Sequence, residues 1–352
     1  MKNTIHERPG VYSSYDASAI IRGGRAVRVV GVAAKSAAGT PNVPVTLTSY
    51  EAGLSAFGED EADAPGMSAM LRLLFLGGAA TVVAVAVEEN GYAAAFAALQ
   101  GVEDVQVVVC DSGDLTVQQA LRESVEAASS ARRERLAVVG MSSASAAELK
   151  ARAKELNSER MVLVGPDVAD ASGKKLPGMF AAAAVAAAIA AVRDPAVPLN
   201  GTALPGLSGV AEQYGDSDVD LLVQGGVTPL EAVAGAVSPI RGITTRTTTG
   251  GTADATWREL TTVMVVDEVI PGLRNALRAK FNRAKNTTQT RGAICSQTMM
   301  ELEKRVSREI IDSYEDVTVT ALEDDPTVCL VEFAFTVAHG LNQVWLSAHI
   351  TV

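Results

Sequence analysis

Val105-Gln-Val-Val-Val-Cys110, Leu136-Ala-Val-Val139 and Met161-Val-Leu-Val164 are short, continuous apolar runs, separated by stretches with helical spacing. Runs of this kind suit strands covered on both faces, as in a parallel sheet. Val27–Ala33 and Thr81–Val87 repeat the pattern upstream. Between the runs, Thr48-x-x-Glu51 and Ser145-x-x-Glu148 match the capping box, in which hydroxyl and carboxylate each satisfy an orphan backbone N–H. After Thr116, the residues Val117, Leu121 and Val125 recur on one helical face. Strands alternating with helices predict an α/β fold, a doubly wound and mostly parallel sheet over residues 26–205. Met179–Val192, mostly alanine, predicts a close-packed buried helix and is too short to span a membrane.

Outward from this block the pattern changes. Residues 1–25 read as an extended arm, because Pro9 fixes φ and Gly10 permits a turn. A stretch rich in proline and glycine starts at Pro195, and residues 206–255 read as an irregular connection. Residues 256–342 predict a smaller α+β domain. Its expected elements are a strand at Leu260–Val266, a helix opening at Pro271 and reaching about Lys285, and a helix over Ser296–Ser313. Strands at Asp316–Leu322 and Val328–Val337 follow, with a last one at Gln343–Val352.

Composition narrows the function. With 48% apolar residues among 352, the chain can build a core, and disorder is excluded. A net charge of −11 offers no general attraction for nucleic acid or an anionic membrane. Cys110, Cys295 and Cys329 are dispersed, which suits neither a disulfide framework nor a zinc site and fits a reducing compartment. Met1 to Gly10 lacks the apolar core of a signal peptide, so folding in the cytoplasm is expected.

Catalytic patterns are missing where they would be needed. The histidines, His6, His339 and His349, all fall outside the α/β region, away from any serine that would need a base. Gly140-Met-Ser-Ser-Ala144 lacks the second glycine of a nucleophile elbow. Gly173-Lys174-Lys175 lacks the rest of a phosphate-binding loop. Asp216, Asp218 and Asp220 lack the glycine and terminal glutamate of a calcium loop. No cofactor is expected. The chain ends draw more interest, since a strand at 343–352 can pair within its own domain or across to another chain. Composition leaves both open.

Several segments resemble, in order along the chain, the contractile tail sheath proteins of bacteriophages and phage-tail-like particles. Arg8-Pro-Gly-Val-Tyr12 is similar to that family's RPGVY opening. Val45-Thr-Leu-Thr-Ser-Tyr-Glu51 with Phe57-Gly58, and Met70-Leu-Arg-Leu-Leu-Phe75-Leu-Gly-Gly78 before a valine strand, match its next segments. Leu221-Leu-Val-Gln-Gly225-Gly-Val-Thr228, Ile240-Arg-Gly-Ile-Thr-Thr245 and Trp257-Arg-Glu-Leu260 follow in their places, with Thr228 where asparagine is usual.

The resemblance implies a structural subunit, not an enzyme. Such a subunit polymerises helically around a tail tube and contracts to drive it through a target cell envelope. The implied partners are other copies of the chain, the tail tube protein, and baseplate and tail terminator proteins, with neither nucleic acid nor membrane insertion. The implied location is the tail of a virion or tail-like particle, assembled in the host bacterial cytoplasm. Strand exchange between subunits would involve Pro9, Gly10, Val11, Tyr12, Ile20 and Ile21 of the arm, and Val344, Trp345, Leu346 and Ile350 at the other end. Val317, Val319, Val331, Phe333 and Phe335 would accept those strands. Arg274, Arg278, Lys280, Arg283 and Lys285, a basic run in an acidic protein, are expected to face the tube, although the same charges also complement a helix C-terminus. An α/β enzyme of unknown substrate and another tail or baseplate component stay as alternatives. An enzyme would be a small defined oligomer; a sheath protein would form tubes.

Overall fold

The computed structural model describes residues 28–61, 64–89, 91–325 and 327–349. In chain order the elements begin β1 (Val29–Ala34), β2 (Val45–Leu47), α1 (Tyr50–Phe57), α2 (Met67–Leu76), β3 (Val82–Ala86), α3 (Tyr92–Gln100), β4 (Val105–Cys110) and α4 (Leu115–Ser130). Next come β5 (Leu136–Gly140), α5 (Ala146–Leu156), β6 (Met161–Gly165), β7 (Val168–Asp170), β8 (Lys175–Leu176), α6 (Gly178–Ala191), β9 (Leu207–Val210) and α7 (Asp216–Gln224). The chain continues through β10 (Val227–Val233), β11 (Ala236–Pro239), β12 (Thr248–Thr249), β13 (Thr252–Ala253), α8 (Leu260–Phe281), α9 (Thr288–Val306), β14 (Ile311–Ala321) and β15 (Cys329–Val337).

The main sheet has the order β11-β10-β6-β5-β4-β1-β3-β2. Its six middle strands run parallel, and β2 and β11 close the two edges antiparallel. Strands β3, β5 and β6 are buried along their whole length, which is why their sequences are unbroken apolar runs rather than alternating ones. One face packs on α2 and α6, the other on α3, α4, α5 and α7. Residues 206–255, expected as a connection, instead contribute β10 and β11 to this sheet. Pro229 does not end β10: it pairs in register with Gly165.

The capping box at Ser145 and Glu148 is present, with both reciprocal bonds. The other box is not formed as expected: α1 is capped by Ser49, whose hydroxyl accepts from Ala52 N–H, rather than by Thr48. Helix α6 is buried nearly throughout. Its alanines let α2 approach so closely that a Cβ on Gly77 would lie 2.5 Å from the Ala187 Cβ.

The expected strand at Leu260–Val266 is the first two turns of a helix. Leu260, Val263, Met264, Val269 and Leu273 are buried at helical spacing, and this tertiary packing overrides the strand preference of the β-branched residues. Pro271 therefore lies inside α8 rather than opening a helix. Helix α9 starts earlier than expected and ends at Val306, so Ser313 belongs to β14.

Helix α8 fixes the second part of the molecule to the end of the sheet at which the parallel strands begin. Arg160, just before β6, binds Asp267 through both carboxylate oxygens at 2.8 and 2.6 Å. One heptad on, Arg274 donates to Glu134, just before β5, at 2.7 Å. Desolvation raises the Asp267 pKa, while the Arg160 charge and hydrogen bonds oppose that rise.

Two outcomes test this packing. Ala187→Leu should overpack the contact with Gly77 and lower stability by roughly 1–3 kcal/mol; a thermal midpoint equal to the parent's would contradict it. Arg160→Ala should cost about 3–5 kcal/mol by leaving Asp267 buried and unpaired, whereas Arg160→Leu with Asp267→Leu should melt much closer to the parent. Equal melting of the single and double variants would overturn that reading.

Candidate functional site

In doubly wound sheets ligands bind at the carboxyl ends of the strands, where the connections diverge. Here that crevice lies beyond β1 and β4, and its carboxylates hold loops. Asp111 accepts from Tyr92 Oη at 2.7 Å and from the Lys35 backbone N–H at 2.9 Å. Asp60 accepts from the N–H groups of Gly66, Ser68 and Ala69 at the start of α2. Asp167 ties Ser143 N–H to Gly178 N–H, bridging the turn after β5 to the start of α6. Burial raises the Asp111 pKa, and the bonds from Tyr92 and Lys35 oppose the rise. His339 and His349, the histidines among the described residues, are remote in sequence from this crevice, in the C-terminal tail. Among the described residues no group of histidine, cysteine and carboxylate side chains has metal-site geometry, and no helix is long and apolar enough to cross a membrane.

The segments that carry the sequence motifs brace the molecule. Thr228 is fully buried; its hydroxyl donates to Ile243 O at 2.9 Å and accepts from Ile243 N–H at 2.8 Å. Thr245 is tied to Ser158 and Met161 in the same way. These bonds fix the approach to α8.

The C-terminal unit is less complete. Strands β14 and β15 form an antiparallel sheet of two, with Val319 opposite Val331 and Tyr314 opposite Phe335. One face carries Tyr314, Val317, Val319, Val331, Phe333, Phe335 and Val337, all only half-buried; of these, Tyr314, Val317, Phe333, Phe335 and Val337 pack on the core that α8 and α9 share. The opposite face, including Thr318, Thr320, Glu332 and Thr336, is exposed. Both outer edges are unpaired among the described residues. A two-stranded sheet is marginal alone, and an open edge is a template for another strand. The five expected acceptor residues thus share one apolar, half-covered face.

Of the expected strand at 343–352, the described residues 343–349 form no strand within the subunit. Residues 343–349 have no ladder partner, and Val344, Trp345 and Leu346 are 70%, 88% and 94% exposed. Val344, Leu346 and Ala348 alternate with Trp345, Ser347 and His349, so the stretch has the period of a one-faced strand without its sheet. Ile350 and the arm residues Pro9, Gly10, Val11, Tyr12, Ile20 and Ile21 lie outside the described residues.

The basic run divides. Arg274 is turned onto Glu134 of the sheet domain, which separates it from the other four. Arg278, Lys280, Arg283 and Lys285 are exposed around the end of α8. Lys280 donates to Gln297 at 2.7 Å, and Arg278, Arg283 and Lys285 form no ion pair among the described residues.

Residues 86–245 match the model of the phage tail sheath protein central domain, and residues 252–351 match that of the phage tail sheath C-terminal domain. The chain belongs to the phage tail sheath family. It is 28% identical over 252 residues to the tail sheath protein of Bacillus phage SP01, an alignment covering 70% of this chain and 43% of that protein. The chain spans about half the length of the curated relatives it matches. Among solved structures, its fold is similar to a chain of the anti-feeding prophage baseplate, with a TM-score of 0.77, 16% identity, and coverage of 99% of this chain and 100% of the other. The anti-feeding prophage helical sheath in its contracted state aligns with a TM-score of 0.71, 16% identity, and coverage of 98% and 99%.

Proposed function

We propose that this chain is a structural subunit of a contractile tail sheath, polymerising around an inner tube and contracting to drive that tube through a cell envelope. The observation that carries the reading is the pairing, on one subunit, of a hairpin with two free edges and an apolar tail with no sheet. In this reading residues 343–352 of one subunit add to the β14–β15 hairpin of another. The N-terminal residues, Pro9 to Ile21, add at the remaining edge. Each added strand gains several backbone hydrogen bonds worth about 0.5–1.5 kcal/mol net apiece. Its alternate side chains would also continue the apolar face of Val317, Val319, Val331, Phe333 and Phe335 along the widened sheet. The partners are then further copies of the chain, baseplate and terminator proteins at the sheath ends, and the tube. The particle is a virion or tail-like device assembled in the host cytoplasm.

The tube-facing assignment rests on the exposed charges Arg278, Lys280, Arg283 and Lys285, with Arg274 committed to Glu134. A matching acidic surface on the tube would be recognised by charge, and the attraction would fall as salt is raised.

Removing residues 343–352 should leave a protein that melts like the parent but forms no tubes in negative-stain images. Tubes of parental length would overturn strand donation. Arg278→Glu with Lys285→Glu should weaken assembly on the tube while leaving tube-free polymerisation intact; unchanged co-assembly at low salt would show that these charges face elsewhere.

A further inference from the structure

Between the end of β15 and the bare tail, the chain crosses the sheet domain and is held there. Ala338 N–H donates to Ile310 O at 3.4 Å. Gly340 lies so close to Pro198 that a Cβ would sit 2.9 Å from two of its ring carbons. Asn200 Nδ2 donates to Asn342 Oδ1 at 2.9 Å.

The surface beneath is itself anchored. Leu199 is buried in the main core with Leu260 and Met264, and Ala196 packs with Val265 and Val269 of α8. Gly201 N–H donates to Pro239 O, at the end of β11, at 2.9 Å. The stretch from Ala196 to Gly201 is thus tied to both the sheet and α8. Past Asn342 the character changes at once: the side-chain bond found there is local, from Trp345 Nε1 to Gln343 Oε1.

We propose that Pro198, Asn200, Gly340 and Asn342 form a clamp that sets the direction in which the tail leaves the subunit, so that the pivot lies after Asn342 and not at the end of β15. The proposal rests on the strand-donation reading above and adds to it the residues that aim the strand. A tail free from Ala338 onward would search a larger volume before meeting a neighbour's hairpin. Holding its first residues raises the effective concentration of the strand at that edge without any added contact. Gly340 is required because a side chain would drive the tail off the proline ring, which cannot move aside as a flexible side chain would. The clamp residues are positioning residues, acting through residues 343–352.

The test compares four full chains: parent, Gly340→Ala, Pro198→Gly with Gly340→Ala, and a chain lacking 343–352. Gly340→Ala should melt like the parent yet show a rise of about tenfold in the critical concentration for polymerisation, a contact-sized loss of about 1.4 kcal/mol per subunit. Opening the ring in the double variant should restore assembly. Parental assembly by Gly340→Ala, while the truncated chain fails to assemble, would overturn the clamp and leave strand donation standing. Assembly by the truncated chain would overturn both. A measurement on the monomer guards against misfolding of the variants. Because the Leu341 side chain is itself 74% exposed, the readout is the backbone: amide nitrogen relaxation should show Leu341 as rigid as β15 and Leu346 in large-amplitude fast motion. Equal mobility at the two positions would place the pivot before the clamp and contradict the proposal.

Discussion

The bonds from one Arg160 nitrogen, Nη1, to both carboxylate oxygens of Asp267 are the constraint on which the rest of the molecule depends. Asp267 lies two turns into α8, and the α9 and β14–β15 unit that follows hangs from that helix. A carboxylate in so buried a place is tolerated because a guanidinium meets both of its oxygens. Arg274 and Glu134 repeat the attachment nearby. Two polar anchors a heptad apart, with Val263 and Met264 in the core, fix the rotation of α8 about its axis. They therefore also fix where α9 and the hairpin stand relative to the sheet.

That fixed placement gives the unfinished hairpin its meaning. Apolar side chains left half-covered on a mobile element would invite indiscriminate association. On an element held rigidly to a large α/β body, they leave one geometry in which a strand, donated as proposed, would complete the sheet. The bare tail from Val344 has the complementary pattern, and the loop at Pro198 to Asn200 is itself fixed by the same core. Connections of this kind bear load through backbone hydrogen bonds, while the bodies they link can rotate about residues that make no fixed contact. At the sheet's carboxyl end, Asp60, Asp111 and Asp167 hold backbone N–H groups and so fix the loops that leave β1, β4 and β6.

Much of this was legible in the sequence where one element dominates its own pattern. Val105–Cys110 and Met161–Gly165 are strands buried on both faces, and their composition says so without context. Ser145 and Glu148 make a local cap, and the alanines of α6 announce a close approach. The misses came where tertiary contacts decide. Leu260-Thr-Thr-Val-Met-Val-Val266 is β-branched and reads as a strand. The spacing of Leu260, Val263 and Met264 carried the helical signal, but Pro271 invited a later start. Strand β10 was hidden by Pro229, and the ties from Thr228 to Ile243 join residues whose pairing no local pattern announces. Of the site, the alternating faces of the hairpin and tail could be read. The commitment of Arg274 to Glu134 and the seat of Gly340 on Pro198 could not, since each joins residues far apart in the chain.

A cryo-electron microscopy reconstruction of the assembled polymer tests the central claim most directly. If donated strands join the subunits, density for residues 343–352 will run beside β14 or β15 of a neighbouring subunit, in register with its backbone, extending the two-stranded sheet. Density showing that hairpin still two-stranded in the polymer, or the tail folded back onto its own subunit, would contradict the claim.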